Sequence, residues 1–403
     1  MPDPFPVELS TWIRPGDTVI WGQSCAEPLT LTSALFAQRH EIGPFRCFLG
    51  IPASDTVQPE YADAVSFLSY CGTGSNRKLY DAGVLDIVTS HYSTFATLFQ
   101  QLPIDVALVQ VSPANPDGTY SMGLAHEYLG SAIDVARVVI AEVNDQLPTI
   151  AGTRQLRPDE IDVLVPVSYR PLELFEASLS DVSAALGRQV AAVIPDGATL
   201  QLGIGSLSQS VTASLYRHRD LHIHSGMISN GVLDLVDAGV VKGEVVGGVL
   251  MGTMRLFERV AGDASFQLRP TSYTHSLEVM GGIDRFVSIN GAVEVDLLGQ
   301  INTERVGSSY VGAIGGGLDF ARGAAASPGG IPIIGLPSSR IVPRLTVPAS
   351  VPAVEAGVIV TEYGAADLRG RSLPERAELL IGIAHPDNRD SLGFDRLNHR
   401  SFN

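Results

Sequence analysis

Short apolar, mostly β-branched runs alternate along the chain with stretches of helical periodicity. The runs are DTVIWG from residue 17, IDVALVQVS from 104, RVVIAEV from 137 and IDVLVPV from 161, then TLQLGIG from 199, RFVSIN from 285, IPIIGLP from 331 and AGVIVTEYG from 356. Apolar on both faces, they read as parallel strands covered by helices on each side, which predicts an α/β protein with mainly parallel sheets. From Pro171 to Pro195 a polar loop leads into an amphipathic helix, SDVSAALGRQVAAVI, after which the strand series begins again. A junction is therefore expected near residue 185, dividing the chain into 1–185 and 186–403. The halves are similar in style, without a repeat of 20 to 50 residues or a low-complexity tract.

One stretch interrupts this grammar. HIHSGMISNG, residues 222–231, starts as a buried strand and ends as a helix entrance, with Gly226 at the joint. Glycine costs backbone entropy in regular structure, so its use there signals either a special backbone angle or a close approach.

Composition adds the expected scale and surroundings. A chain of 403 residues, 45% of them hydrophobic, is long for one core, and two domains are the default. Charged residues reach only 17%, against roughly 25% in an average soluble domain, so much surface is expected between domains or subunits, as in a homodimer. The formal charge of −16 and the lack of Lys/Arg-rich runs argue against nucleic-acid and membrane-surface partners. Cys25, Cys47 and Cys71 are widely spaced without a C-x-x-C pair, which predicts reduced core thiols and no metal. The opening MPDPFPVELS lacks the basic start and apolar centre of a signal peptide, and no run of about 18 apolar residues occurs, so a cytoplasmic protein is expected.

Chemistry-bearing segments cluster in the second half. Gly203, Ile204 and Gly205 run from a strand into a helix, where backbone N–H groups either face an anion or carbonyl oxygen or simply make a tight turn. Gly315, Gly316 and Gly317 precede Asp319 and let backbone amides approach a ligand with no Cβ in the way, as an oxyanion hole or a nucleotide cradle requires. Asn290, followed by Glu294 and Asp296, and Glu362 stand at or just past strand ends, where doubly wound sheets face their ligands. Each on its own is also compatible with a cap or turn.

Ten ordered segments resemble the acetyl-CoA hydrolase/transferase family, which includes 4-hydroxybutyrate CoA-transferases. Among them are AEPLTLTSAL from Ala26, VSPANPDGTYSMG from Val111, HSGMISNGVLDLVDAGVV from His224, EVDLLGQIN from Glu294, GGGLDFARGA from Gly315 and VTEYGAADLRG from Val360. The resemblance spans nearly the whole chain and implies two related CoA-transferase-type domains with the site between them. It implies coenzyme A, carried as acyl-CoA, as the substrate group. It also implies Asn290 on the thioester or pantetheine, an oxyanion-hole amide from Gly315 or Gly316, and Glu362 orienting the reacting groups. Gly203, Ile204, Gly205, Ser225, Gly226, Met227, Gly317 and Asp319 complete the expected substrate-binding set.

The family's nucleophile is a glutamate in an H-[ST]-E-M motif, and here that position is Gly226. Further departures are Asn230, Ser208, Ala313 and Gly317, which read as changes around one crevice. No glutamyl anhydride can form at residue 226, and the lost side chain is expected to leave room for two or three waters, at roughly 30 Å³ each. His224 is a candidate general base on the face shared by 222, 224 and 226, or else a structural imidazole; Ser225 lacks an evident base partner. Three readings stay open at this point. The first is acyl transfer, condensation, cyclisation or hydrolysis on an acyl-CoA or acyl-carrier thioester with a small-molecule acceptor. The second is CoA transfer through another carboxylate, such as Glu362 or Glu294, or an inactivated form of such an enzyme. The third is a non-catalytic thioester-binding protein.

Overall fold

The computed structural model describes residues 7–398. Residues 1–6 of the N-terminal stretch considered above lie outside the described residues.

All eight anticipated runs form strands, and they fall into two sheets. The first contains β1 (Thr18–Trp21), β2 (Phe45–Leu49), β3 (Val65–Ser69), β4 (Leu85–Ile87), β5 (Val106–Val111), β6 (Val138–Asn144) and β7 (Val163–Val167). Its order is β4-β3-β2-β1-β5-β6-β7, and every pairing is parallel. The central β5 is buried at all six positions, as its doubly apolar sequence requires, whereas the edge strand β7 exposes alternate residues and tolerates Pro166.

The second sheet contains β8 (Thr199–Leu202), β9 (Leu221–His224), β11 (Val241–Gly247), β13 (Phe266–Leu268), β14 (Phe286–Gly291), β15 (Ile331–Gly335), β16 (Val358–Thr361) and β17 (Gly364–Asp367). A separate parallel pair, β10 (Met227–Ser229) and β12 (Val249–Met251), branches from its edge. The order β13-β11-β9-β8-β14-β15-β16-β17 repeats that of the first sheet, strand for strand, and adds one antiparallel edge strand, β17. In both halves the chain winds outward from the first strand, then reverses on its other side. The crevice at the carboxyl ends beside that reversal is where such sheets bind ligands.

Helix α2 (Asp181–Ala191), capped by the Ser180 hydroxyl on the Ser183 amide, matches the amphipathic helix read from the sequence. It contains the expected junction near residue 185, and its Leu186 and Val190 join the core of the second sheet.

The halves share a seam rather than a linker. Cys25, Leu124, Ala125, Leu147 and Ile150 from the first half are part of the main core of the second. Backbone bonds stitch the seam: the His126 amide donates to Gly248 O, Leu250 N to Leu124 O, and Leu268 N to Gly152 O. At Gly152 a Cβ would sit inside bonding-overlap range of the Phe266 carbonyl, so glycine here is a matter of close approach. Gly152→Ala is expected to destabilise the chain by about 2 kcal/mol or more, because backbone on both sides must shift. A urea midpoint equal to that of the parent would contradict this.

Candidate active site

A cavity of about 510 Å³ opens where the two halves meet, at the crevice predicted by the strand order. Gly203 follows β8 and Asn290 is the penultimate residue of β14, so the two flank the reversal of the second sheet. The Asn290 side chain is fixed by a reciprocal pair with Gln201: Asn290 Nδ2 donates to Gln201 Oε1 at 3.0 Å, and Gln201 Nε2 returns a bond to Asn290 Oδ1 at 3.1 Å. That pair holds the amide at the cavity wall in one rotamer.

The triple glycine makes the opposite lip. Gly315 has φ of +51°, and Gly317 begins α6 (Gly317–Ala326). Among the described residues no protein oxygen takes the amides of Gly315 and Gly316, which leaves two donors at the cavity edge. Their freedom from Cβ atoms has a local cause. A Cβ on Gly316 would collide with Nε2 of His275, which lies just past the single turn α5 (Thr271–Thr274).

Gly226 has the same neighbour. Its φ is not positive, so its backbone does not call for glycine. A Cβ there would stand 3.3 Å from His275 Cε1, 3.4 Å from Nε2 and 3.6 Å from Phe320 Cε2. These are tight to ordinary van der Waals contacts, so the edge of the His275 ring borders the position without closing it, and Gly226 lies on the cavity wall.

His275 is 4% exposed and wedged between the Tyr92 and Phe320 rings, at centroid distances of 4.8 and 4.3 Å. Burial, with a further contribution from nearby His224, depresses its pKa to about 3, so the ring is neutral at physiological pH. The Thr274 hydroxyl reaches Pro270 O and lies 2.8 Å from His275 Nδ1. The pair fixes the orientation of the ring, and the ring proton sits on Nδ1 when the hydroxyl donates to Pro270 O and on Nε2 when it donates to Nδ1.

Glu127 closes the site from the first half. It opens α1 (Glu127–Val135) with φ of +22°, an unusual angle for a side chain of this size. The Gly248 position separates it from Gly226: a Cβ there would lie 2.9 Å from Gly226 O and 3.2 Å from Glu127 Cβ. Oε2 of Glu127 accepts from Gln23 Nε2 at 2.7 Å and from the Tyr92 hydroxyl at 2.9 Å. Gln23 is itself held by the Tyr70 hydroxyl and the Ile51 amide. Oε1 is buried with no protein partner among the described residues. Burial pushes the carboxyl up to about 8, against the lowering effect of its two donors.

The structure brings together Gly203, Ile204, Gly205, Gly226, Met227, Asn290, Gly315, Gly316 and Gly317, all on the cavity wall. It places six other candidates elsewhere. His224 donates from Nε2 to Thr274 O at 2.9 Å and packs against Phe286, because β9 ends at residue 224 and the joint turns Gly226 away from the shared face. Ser225 is wholly buried, its hydroxyl bonded to the Leu202 carbonyl and amide. Asp319 ties the halves by accepting from the Ser93 amide and hydroxyl at 3.0 and 2.9 Å. Glu362 is held by the Ser338 amide and hydroxyl, off the cavity wall. Glu294 also lies off the wall, and Asp296 is consumed by the turn amides of Leu298 and Gln300. Of the departures around the presumed crevice, Ala313 and Gly317 line the cavity, whereas Ser208 and Asn230 do not.

Sequence reasoning missed Glu127, His275, Gln23 and Tyr92. Gln23 had a usable signal, since it follows the first strand of the first half just as Gly203 follows the first strand of the second. Glu127 and His275 had none beyond being polar residues in apolar surroundings.

These features define an α/β enzyme of two similarly wound halves with a thioester-sized cavity between them, and comparison with known proteins gives the particular family. Residues 5–168 match the acetyl-CoA hydrolase/transferase N-terminal domain and residues 252–395 the corresponding C-terminal domain. The 4-hydroxybutyrate coenzyme A transferase of Clostridium kluyveri is 36% identical, over 93% of this chain and 92% of that protein. The crystal structure of RipA from Yersinia pestis superimposes with a TM-score of 0.90 at 30% identity, covering 96% of this chain and 95% of that one. The 4-hydroxybutyrate CoA-transferase of Porphyromonas gingivalis superimposes with a TM-score of 0.80 at 32% identity, covering 96% and 95%. The chain belongs to the acetyl-CoA hydrolase/transferase family and is an enzyme of the acyl-CoA transferase/hydrolase class. Among the described residues no helix is long and apolar enough to cross a membrane.

The raised Glu127 carboxyl predicts a pH dependence of stability. A group whose folded pKa lies above its unfolded value of about 4.5 binds its proton more tightly in the fold. Its stabilising share is complete below pH 4.5 and is lost as pH rises toward 8, on the order of a few kcal/mol. Glu127→Gln should flatten the fall in Tm between pH 5 and 8, and an unchanged slope would show that Glu127 is not the group responsible.

Proposed function

We propose that this enzyme activates an acyl-CoA thioester for direct attack by an acceptor, giving acyl transfer, condensation, cyclisation or hydrolysis without a glutamyl intermediate. The observation that supports this reading best is the exchange at residue 226: no carboxylate, and a neutral imidazole bordering the position.

In this mechanism Asn290 orients the thioester, and the amides of Gly315 and Gly316 face its carbonyl oxygen as charge develops there. One such donor is worth about 3 to 4 kcal/mol of transition-state stabilisation. In the tautomer protonated at Nδ1, the Nε2 lone pair of His275 orients the X–H bond of the attacker. The new X–C bond forms as the carbonyl electrons move to oxygen. The C–S bond then breaks on collapse, and the attacker's proton ends on the departing thiolate as free CoA. A carrier-protein thioester would follow the same course.

A second reading is CoA transfer with Glu127, rather than Glu362 or Glu294, as the nucleophile, favoured by its being the carboxyl residue that lines the cavity among the described residues. A carboxyl raised to about 8 is mostly protonated at neutral pH and so a weak nucleophile, which is why direct attack is preferred.

Intact-mass measurement after incubation with acetyl-CoA or butyryl-CoA separates the two. Direct attack predicts thiol release with no covalent adduct, and a CoA adduct on any glutamate sinks it. Gly226→Glu alone is expected to yield no CoA exchange with acetate, since the new side chain meets the His275 ring. Gly226→Glu combined with His275→Ala makes room and is expected to gain measurable exchange.

A further inference from the structure

We infer that the wall formed by Glu127, Gln23 and Tyr92 is the acceptor subsite and that it takes a primary amine, which makes the reaction formation of an amide from an acyl-CoA. This rests on the direct-attack reading above and names its acceptor.

The first observation is the lopsided hydrogen bonding of Glu127. Both of its donors converge on Oε2, while Oε1 is buried and has no protein partner among the described residues, in a side chain that forms part of the cavity wall. A buried polar atom left unmade costs about 1 to 3 kcal/mol, which makes the gap a place for a ligand group rather than a settled part of the core. The missing partner is a hydrogen-bond donor when the carboxyl is ionised, and an ammonium supplies both donor and counter-charge.

The second observation is the charge of the cavity. Among the described residues no lysine or arginine lines it, and Glu127 is its only carboxyl. A carboxylate acceptor would enter without a counter-ion and beside a second acid. A cation would find one, and entry of a positive charge would in turn favour the ionised form of Glu127.

The third observation is the wall between Glu127 and the vacated position. Tyr70, Tyr92, His275 and Phe320 stand in a row, with centroids 5.3, 4.8 and 4.3 Å apart. Aromatic faces attract ammonium groups more than they attract neutral hydroxyls, and they suit an apolar chain attached to the amine. The row leads from the carboxyl that would bind the amine to the glycines beside which the thioester would lie.

The step balances without a further reagent. Ionised Glu127 takes one proton from the ammonium, giving the neutral amine and a carboxylic acid. The nitrogen lone pair forms the C–N bond, the C–S bond breaks, and the remaining N–H proton passes to the thiolate. Amide and free CoA leave, and Glu127 returns its proton to solvent.

The test compares acceptors that share one carbon skeleton. Free thiol and acyl product are followed with acetyl-CoA and butyryl-CoA in the presence of butylamine, butanol, butyrate or buffer alone. Butylamine is expected to raise thiol release about tenfold or more over buffer and to yield the N-butyl amide by mass spectrometry, and Glu127→Gln to lower that amine-dependent rate about 100-fold. Tyr92→Phe keeps the ring, removes one donor to Oε2, and is expected to lower it about 3- to 10-fold, so the result does not hang on one variant. If butanol or water serves as well as butylamine, if no butylamine-dependent release occurs, or if Glu127→Gln keeps it, the inference is overturned while direct attack without an adduct stands. A covalent CoA adduct with butyrate-dependent exchange overturns both.

Discussion

The site depends on one seam of backbone hydrogen bonds. The segment ending at Glu127 lies along residues 248–250, with the His126 amide on Gly248 O, and Gly248 in turn donates to Gly226 O at 2.9 Å. Backbone bonds across a buried interface leave no donor or acceptor free, so neither strand of the seam can slide without orphaning several at once. Glu127 and Gly226, 99 positions apart in sequence, are therefore held on either side of one glycine. Close packing at Gly152 and Gly248 lets the two backbones approach this nearly, and the cavity is what remains where the seam ends.

Within that frame Gly226, Gly316 and His275 form a single steric unit. The imidazole fills the room that a Cβ on Gly316 would need and borders the one that a Cβ on Gly226 would take, and the Tyr92 and Phe320 rings fix it from both sides. Electrostatics follow from the same packing: desolvation leaves His275 neutral and Glu127 largely protonated at neutral pH. A neutral base and a carboxyl poised near neutrality suit a reaction in which protons move between an acceptor and a leaving thiolate.

Much of the architecture was legible in the chain. The eight doubly apolar runs are strands because only a sheet covered on both faces buries such runs without exposing apolar surface. The strand-end rule also found the site where local sequence makes the geometry: Asn290 at the end of its strand, and the glycines at 203, 205 and 315–317, whose small size is itself the signal. Asp319, in the first turn of its helix, and Glu362, past a strand end, are bonded instead to Ser93 and Ser338. An acid at a strand end or in a helix's first turn serves equally well as a cap, a tie or a catalyst until its neighbours are known.

By itself, then, the sequence determined the α/β class, the similar winding of the two halves, the glycine-rich lips and the absence of a carboxylate at position 226, because these rest on periodicity and on residue identity at one place. Which polar groups lie beside Gly226 was decided only by tertiary structure. His275 and Glu127 lie in segments with no local signature, one beyond a single helical turn and the other in the opposite half of the chain. They meet beside Gly226 because two separately wound sheets dock through their backbones. Their protonation states come from burial, which no stretch of sequence carries on its own.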